Sequence, residues 1–134
     1  MKTDQTRRPG SAESRQKAYR DGHWAEAVAA ALLRLKGYRI EARRMKTPVG
    51  EIDLLARRGR SLVFVEVKRR ASRADALAAI TPHQQRRIAR AALWYMSRTP
   101  ALADHDLRFD VIALAPGRLP VHVKNAWTLN EVRM

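Results

Sequence analysis

Residues 62–68 read Leu62-Val63-Phe64-Val65-Glu66-Val67-Lys68, apolar at nearly every position. A strand of this kind has no face to give to water, so it must be a central strand covered on both sides. That demand asks for a sheet with elements packed above and below it. The run Glu51-Ile52-Asp53-Leu54-Leu55-Ala56 precedes it, and the Arg57-Arg58-Gly59-Arg60 turn joins the two. Two β-rich runs linked through a short glycine-containing turn predict a hairpin.

The remaining segments supply the layers. A first helix is predicted from about Asp21 to Lys36, with Asp21 as N-cap and Gly37 as the stop. Trp24, Ala27, Val28, Ala31, Leu32 and Leu35 form one apolar stripe on it, and Ala29, Ala30 and Leu33 form another. Apolar on both sides, this helix is expected to be wedged between other elements. Tyr38, Ile40 and Ala42 then alternate with Arg39, Glu41 and Arg43 as in a half-exposed strand, and a turn around Pro48-Val49-Gly50 leads into the hairpin. After a loose, Ala-rich stretch, Thr81-Pro82 opens a second helix that runs to about Ser97. Its pattern buries Ile88, Ala91, Ala92 and Tyr95 and exposes Arg86, Arg87 and Arg90. Leu107 to Leu114 and Val121 to Trp127 read as two further strands. The expected fold is α/β, a central mixed β-sheet of about five strands flanked by α-helices. It forms one domain over residues 11–134, after a disordered basic tail at residues 1–10.

The totals narrow the function. A chain of 134 residues has room for one domain with a real core. With no cysteine, disulfides and thiolate metal sites are excluded. The opening residues lack the apolar stretch of a secretory signal and no run could span a bilayer, so a cytoplasmic protein with no membrane partner is expected. Lys and Arg exceed Asp and Glu by 27 to 13, for a formal charge of +14. The excess is spread along the chain, and a folded domain this basic attracts polyanions, nucleic acid before others. A solvated surface of high arginine content is the plainer alternative.

In strands, residues two apart share a face. Asp53 falls with Glu51 and Leu55, while Phe64, Glu66 and Lys68 share a face of the next strand. In ordinary hairpin register Asp53, Glu66 and Lys68 gather on one face. Two carboxylates within apolar strands need a partner, because a buried lone carboxylate costs several kcal/mol. A divalent cation shared by Asp53 and Glu66 meets that need, and hard oxygen ligands favour Mg²⁺ or Mn²⁺. Such a cation can bind a scissile phosphate and activate water, with Lys68 orienting the water or neutralising developing charge. The alternative is an ordinary Glu66–Lys68 ion pair with Asp53 exposed at a strand edge. Glu26, the only acid on the second apolar stripe of the first helix, could complete the metal shell. Equally, it could simply be favoured by the helix N-terminal dipole. The four histidines lack metal-ligand spacing, and no glycine-rich phosphate loop or nucleophile elbow is present.

The blocks Gly50-Glu51-Ile52-Asp53-Leu54-Leu55-Ala56 and Val63-Phe64-Val65-Glu66-Val67-Lys68, followed by Arg70, resemble the signature of the YraN-like bacterial family. Arg108-Phe109-Asp110-Val111 and Val121-His122-Val123-Lys124-Asn125-Ala126-Trp127 are similar to its later blocks. The resemblance implies a restriction-endonuclease-like fold, akin to Holliday-junction resolvases. It implies a metal site at Asp53 and Glu66, a catalytic Lys68, Glu26 as an added acid and Gln85 as the polar residue lent by the second helix. Family members often carry lysine where this chain has Gln84, and the proline of the wider nuclease motif is Ile52 here.

The first expectation is therefore a Mg²⁺-dependent DNA endonuclease acting on branched or otherwise structured DNA, with a homodimer where junction cutting requires two subunits. Arg43, Arg44, Lys46, Arg69, Arg70, Arg86, Arg87 and Arg90 are the candidate nucleic-acid contacts, each with a solvated surface charge as its alternative. The second is a non-catalytic nucleic-acid-binding module that keeps the nuclease fold. The third is a scaffold whose basic face meets an acidic protein. Intact Asp53, Glu66 and Lys68 favour the first, since paired acids beside phosphates do not help a module that only binds.

Overall fold

A computed structural model describes residues 12–132, with side chains from residue 23 onward. The basic tail expected at residues 1–10 lies outside the described residues. The chain runs α1 (Ala12–Leu35), β1 (Arg39–Thr47), β2 (Gly50–Arg58), β3 (Ser61–Arg69), α2 (Arg73–Ala78), α3 (Pro82–Ser97), β4 (Asp106–Leu114) and β5 (Val121–Trp127). The five strands form one sheet in chain order. β3 and β4 pair in parallel across the α2–α3 crossover, and every other pair is antiparallel. This is the expected mixed sheet flanked by helices, the restriction-endonuclease-like arrangement. No helix among the described residues is long and apolar enough to cross a membrane.

β3 is the covered strand that its sequence demands. Val63 and Val65 join Leu54, Ala56, Ile112 and Leu114 against Ala25, Ala29, Ala30 and Leu33 of α1. Leu62 and Phe64 join Ile52, Leu55, Phe109 and Val111 against Ile88, Ala91 and Ala92 of α3. Side chains such as Leu33, Leu54, Phe64 and Phe109, each almost wholly removed from water, contribute about 1.5–3 kcal/mol apiece.

Three expectations are corrected. α1 starts at Ala12, not Asp21: nothing in residues 12–20 breaks a helix, and one internal glycine, Gly22, costs only about 1 kcal/mol against alanine. The helix does stop where expected, with Gly37 at φ +91° and the Tyr38 N–H donating back to the Leu33 carbonyl. Nor is α1 wedged between layers. Its Ala29–Ala30–Leu33 stripe meets the sheet, whereas Trp24 and Leu35 of the other stripe are exposed. The small residues win because alanines let the helix backbone approach the sheet closely. Finally, the Ala-rich stretch holds a short helix, α2, capped by the Ser72 hydroxyl accepting from the Asp75 N–H.

Candidate active site

The β2–β3 ladder is regular only from Arg58↔Ser61 to Leu54↔Val65. Beyond it the strands part, and the carboxylate of Asp53 enters the gap. The Val67 N–H, which has no ladder partner on β2 at this point, donates to Asp53 Oδ2 at 2.9 Å. The chain also departs here from strict alternation. Ile52 packs on the α3 side and Leu54 on the α1 side, although two residues apart they should share a face. The partner strand is irregular at the same level. Arg44, which lies between the paired positions Arg43↔Leu54 and Met45↔Ile52, has φ +51°. A register shift between Ile40 and Ala42 moves Ala42 to the α3 side, away from the face it was expected to share with Ile40.

Asp53 thus sits between two other acids. On the α3 side, Glu66 lines a cavity of about 70 Å³ together with Glu51, Gln84, Arg87 and Ile88. Lys68 Nζ lies 3.3 Å from Glu66 Oε2, and both side chains are mostly buried. On the α1 side, buried Glu26 is held by Arg44. Burial, reinforced by the Glu66 charge, pushes the Asp53 carboxyl up to about 7; the Val67 N–H and Lys68 only partly oppose this. Glu26 is shifted upward too, by burial and by Asp53, against the pull of Arg44. The hairpin thus brings Asp53, Glu66 and Lys68 together, with Glu26 behind Asp53. Among the described residues, no three His, Asp or Glu side chains converge as a ready metal set. Asp53 and Glu66 are the pair that could share an ion. Their donors are hard oxygens, and an ionised pair this close needs a cation, so a divalent oxygen-seeking metal fits.

α3 was expected to lend Gln85, and here the structure differs. The Gln85 amide donates to the Ile80 carbonyl at 3.4 Å, and its side chain faces a separate hollow with Pro82, Arg86, Glu131 and Val132. Gln84 lines the acid cavity instead. Its position follows from the capping box, in which Thr81 Oγ1 accepts from the Gln84 N–H and the Gln84 amide oxygen accepts from the Thr81 N–H. That motif is legible in Thr81-Pro82-His83-Gln84 and marks Gln84 as the N3 residue, but it does not say which face of α3 meets the sheet.

Of the candidate nucleic-acid contacts, Arg86, Arg87 and Arg90 come together. With His83 and Val49 they line a groove of about 380 Å³ between α3 and the β1–β2 turn. Arg87 borders the acid cavity as well, so groove and cavity adjoin. Gly50 permits this approach, because a Cβ there would meet Arg87 Cγ at 2.8 Å. Arg43, Lys46, Arg69 and Arg70 are exposed on strand β1 and at the end of β3. Arg44 is engaged with Glu26 and His23, which removes it from the solvent-facing set.

A second polar cluster went unassigned in the sequence. Asp110, fully buried in β4, accepts from Arg108, from His122 at 2.7 Å and from the Asn125 N–H at 2.9 Å. Burial would raise its pKa, but these donors outweigh burial and hold the carboxyl below its ordinary range. Every partner is internal, and the cluster pins the irregular β4–β5 pairing between Phe109 and Val111.

Residues 25–114 match the family described as Uncharacterised protein family UPF0102. Curated relatives named UPF0102 protein extend the match over most of the chain. The protein from Parvibaculum lavamentivorans is 56% identical over 82% of this chain and 83% of its own. That from Chelativorans sp. is 54% identical over 85% and 92%, and that from Paramagnetospirillum magneticum 47% over 86% and 92%. With both hairpin strands and the whole α2–α3 crossover inside the matched span, the chain belongs to the UPF0102, or YraN-like, family.

Proposed function

We propose that this protein is a Mg²⁺- or Mn²⁺-dependent nuclease that hydrolyses phosphodiester bonds in DNA, branched or structured DNA included. The observation that carries this reading is Asp53. A carboxylate placed where two strands part, pressed against Glu66 and raised to about 7, is poorly accommodated without a cation. Strongly perturbed carboxylates with a specific charged neighbour cluster at functional sites.

A divalent ion held by Asp53 and Glu66 would supply Lewis acidity toward a phosphate oxygen and lower the pKa of water. The residues of the chain do the rest. Lys68, held by Glu66, offers an ammonium to orient the attacking water and to balance charge developing on the phosphate. Gln84 adds an amide to the lining of the cavity. Arg87, Arg86 and Arg90 receive the flanking phosphates, so that the backbone is aligned before the bond is cut. The groove is open and lined by long flexible cations, which suits a nucleic-acid backbone better than a small metabolite.

The test joins metal uptake to cleavage. Manganese is titrated calorimetrically into the protein and into Asp53→Ala/Glu66→Ala, and both are incubated with branched, duplex and single-stranded DNA and with RNA. Metal uptake and cutting by the unsubstituted protein alone are expected, with branched DNA cut best. Nucleic-acid binding by both proteins, with neither metal uptake nor cutting, would replace the proposal with a binding module that keeps the fold.

A further inference from the structure

The three acids at the centre are not equivalent. Glu66 faces a cavity open to a small ligand, whereas Glu26 is paired with Arg44. Arg44 Nε stands 3.1 Å from each Glu26 oxygen, and its Nη1 donates to His23 Nε2 at 2.7 Å. The hydrogen bond from Nε runs to Oε2, leaving Glu26 Oε1 buried with no donor. Arg44 reaches this position from a backbone at φ +51°, a conformation that costs a non-glycine residue about 1–2 kcal/mol. Something must stabilise that conformation, and the contact with a buried carboxylate next to Asp53 is what it achieves.

We infer that Arg44 is a resident cation of the acidic centre: it fills the Glu26 side of Asp53, so the centre takes one divalent ion per chain, on the Glu66 side. This rests on the metal-dependent reading of the site. Two acids flanked by a third could otherwise hold a pair of ions, one on each side of Asp53. A guanidinium does not lose its proton in a protein, so its charge stays in place at any working pH. At contact distances in a half-buried site, like charges repel by several kcal/mol, which is enough to exclude a second ion. The inference also gives Glu26 a role other than first ligand: with Arg44 it forms a neutral pair behind Asp53.

The test is the number of manganese ions bound per chain, measured by calorimetry on the full-length protein. Arg44→Asn removes the cation while keeping a residue that accepts positive φ, and Arg44→Lys keeps the charge. The protein and Arg44→Lys should bind one ion, and Arg44→Asn two. Adding Glu26→Gln to Arg44→Asn should return the count to one. Two ions in the unsubstituted protein, or one in Arg44→Asn, would overturn the inference. If the unsubstituted protein binds none, the metal-dependent reading fails. In that case an ion gained by Arg44→Asn leaves the role of Arg44 standing, and none gained ends it too.

Discussion

Asp53 and Asp110 are both carboxylates within apolar strands, and they have opposite consequences for stability. Asp110 receives donors on both oxygens and is held low; Asp53 receives one N–H and faces another acid, and is raised to about 7. For Asp53 the folded state holds a proton that the unfolded chain releases near its ordinary 3.8. Stability therefore falls as pH rises from about 4 to about 7, by roughly 4 kcal/mol at most. Asp53→Asn should match the unsubstituted protein in urea unfolding near about pH 4 and be the more stable near about pH 8. Equal stability at both values would mean that Asp53 is not strained. Asp110 works the other way: its contribution is present above its ordinary range and lost on further acidification. Asp110→Ala leaves Arg108 and His122 without their acceptor inside the sheet, and should cost about 3–5 kcal/mol without changing metal uptake. A loss of metal binding there would place Asp110 in the site instead. The sequence singled out the first aspartate, because a nearby Glu-x-Lys gave it a chemical partner. It left the second unread, because Arg108 and Asp110 share one strand but His122 and Asn125 come from another.

At the scale of elements, α3 is where the polyanion should lie. Replacing Arg86, Arg87 and Arg90 together by glutamine should weaken duplex binding and lower the salt dependence, by about 0.9 in log–log slope for each phosphate that is no longer neutralised. An unchanged slope would move the substrate to the exposed β1 cations. Gly50→Ala offers a second test of the same surface. The added methyl meets Arg87 Cγ at 2.8 Å, so the Arg87 stem must shift. Gly50 also sits at φ +156°, a conformation that side chains rarely adopt, so the substitution should lower the melting temperature as well as nucleic-acid affinity; unchanged affinity would show that the Arg87 stem does not shape the binding surface. Element boundaries set by local chemistry were legible: Gly37 ends α1, and Thr81-Pro82 begins α3. Strand faces were legible only where pairing is regular. The register shift at Ile40/Ala42 and the end of the β2–β3 ladder at Asp53 depend on how two strands twist against each other, and alternation within a single strand carries no record of that. The choice between Gln84 and Gln85 failed for the same reason, since it turns on how α3 is rotated over the sheet.

On the whole molecule, the +14 charge acts as a field rather than as separate contacts. Confining that charge in a 134-residue chain destabilises the compact state through self-repulsion, which salt screens within about 10 Å at 0.1 M. The melting temperature should therefore rise as salt is added from very low ionic strength. A polyanion that binds the folded state relieves the same repulsion and adds its own binding energy. At a concentration about one hundred times its Kd it should stabilise by about 2.7 kcal/mol, roughly 10 °C for a domain of this size. The stabilisation should fade as salt rises, because counterion release supplies much of the affinity. Short duplex DNA, branched DNA, RNA and an acidic peptide of equal charge can be compared in one thermal-shift series without any metal. A nucleic-acid-binding surface predicts larger shifts for the phosphate polymers, whose regular spacing can follow the α3 groove, than for the peptide. Equal shifts for peptide and nucleic acid would show that the field alone drives association. The basic surface would then fit the acidic protein partner of the third reading as well as it fits DNA.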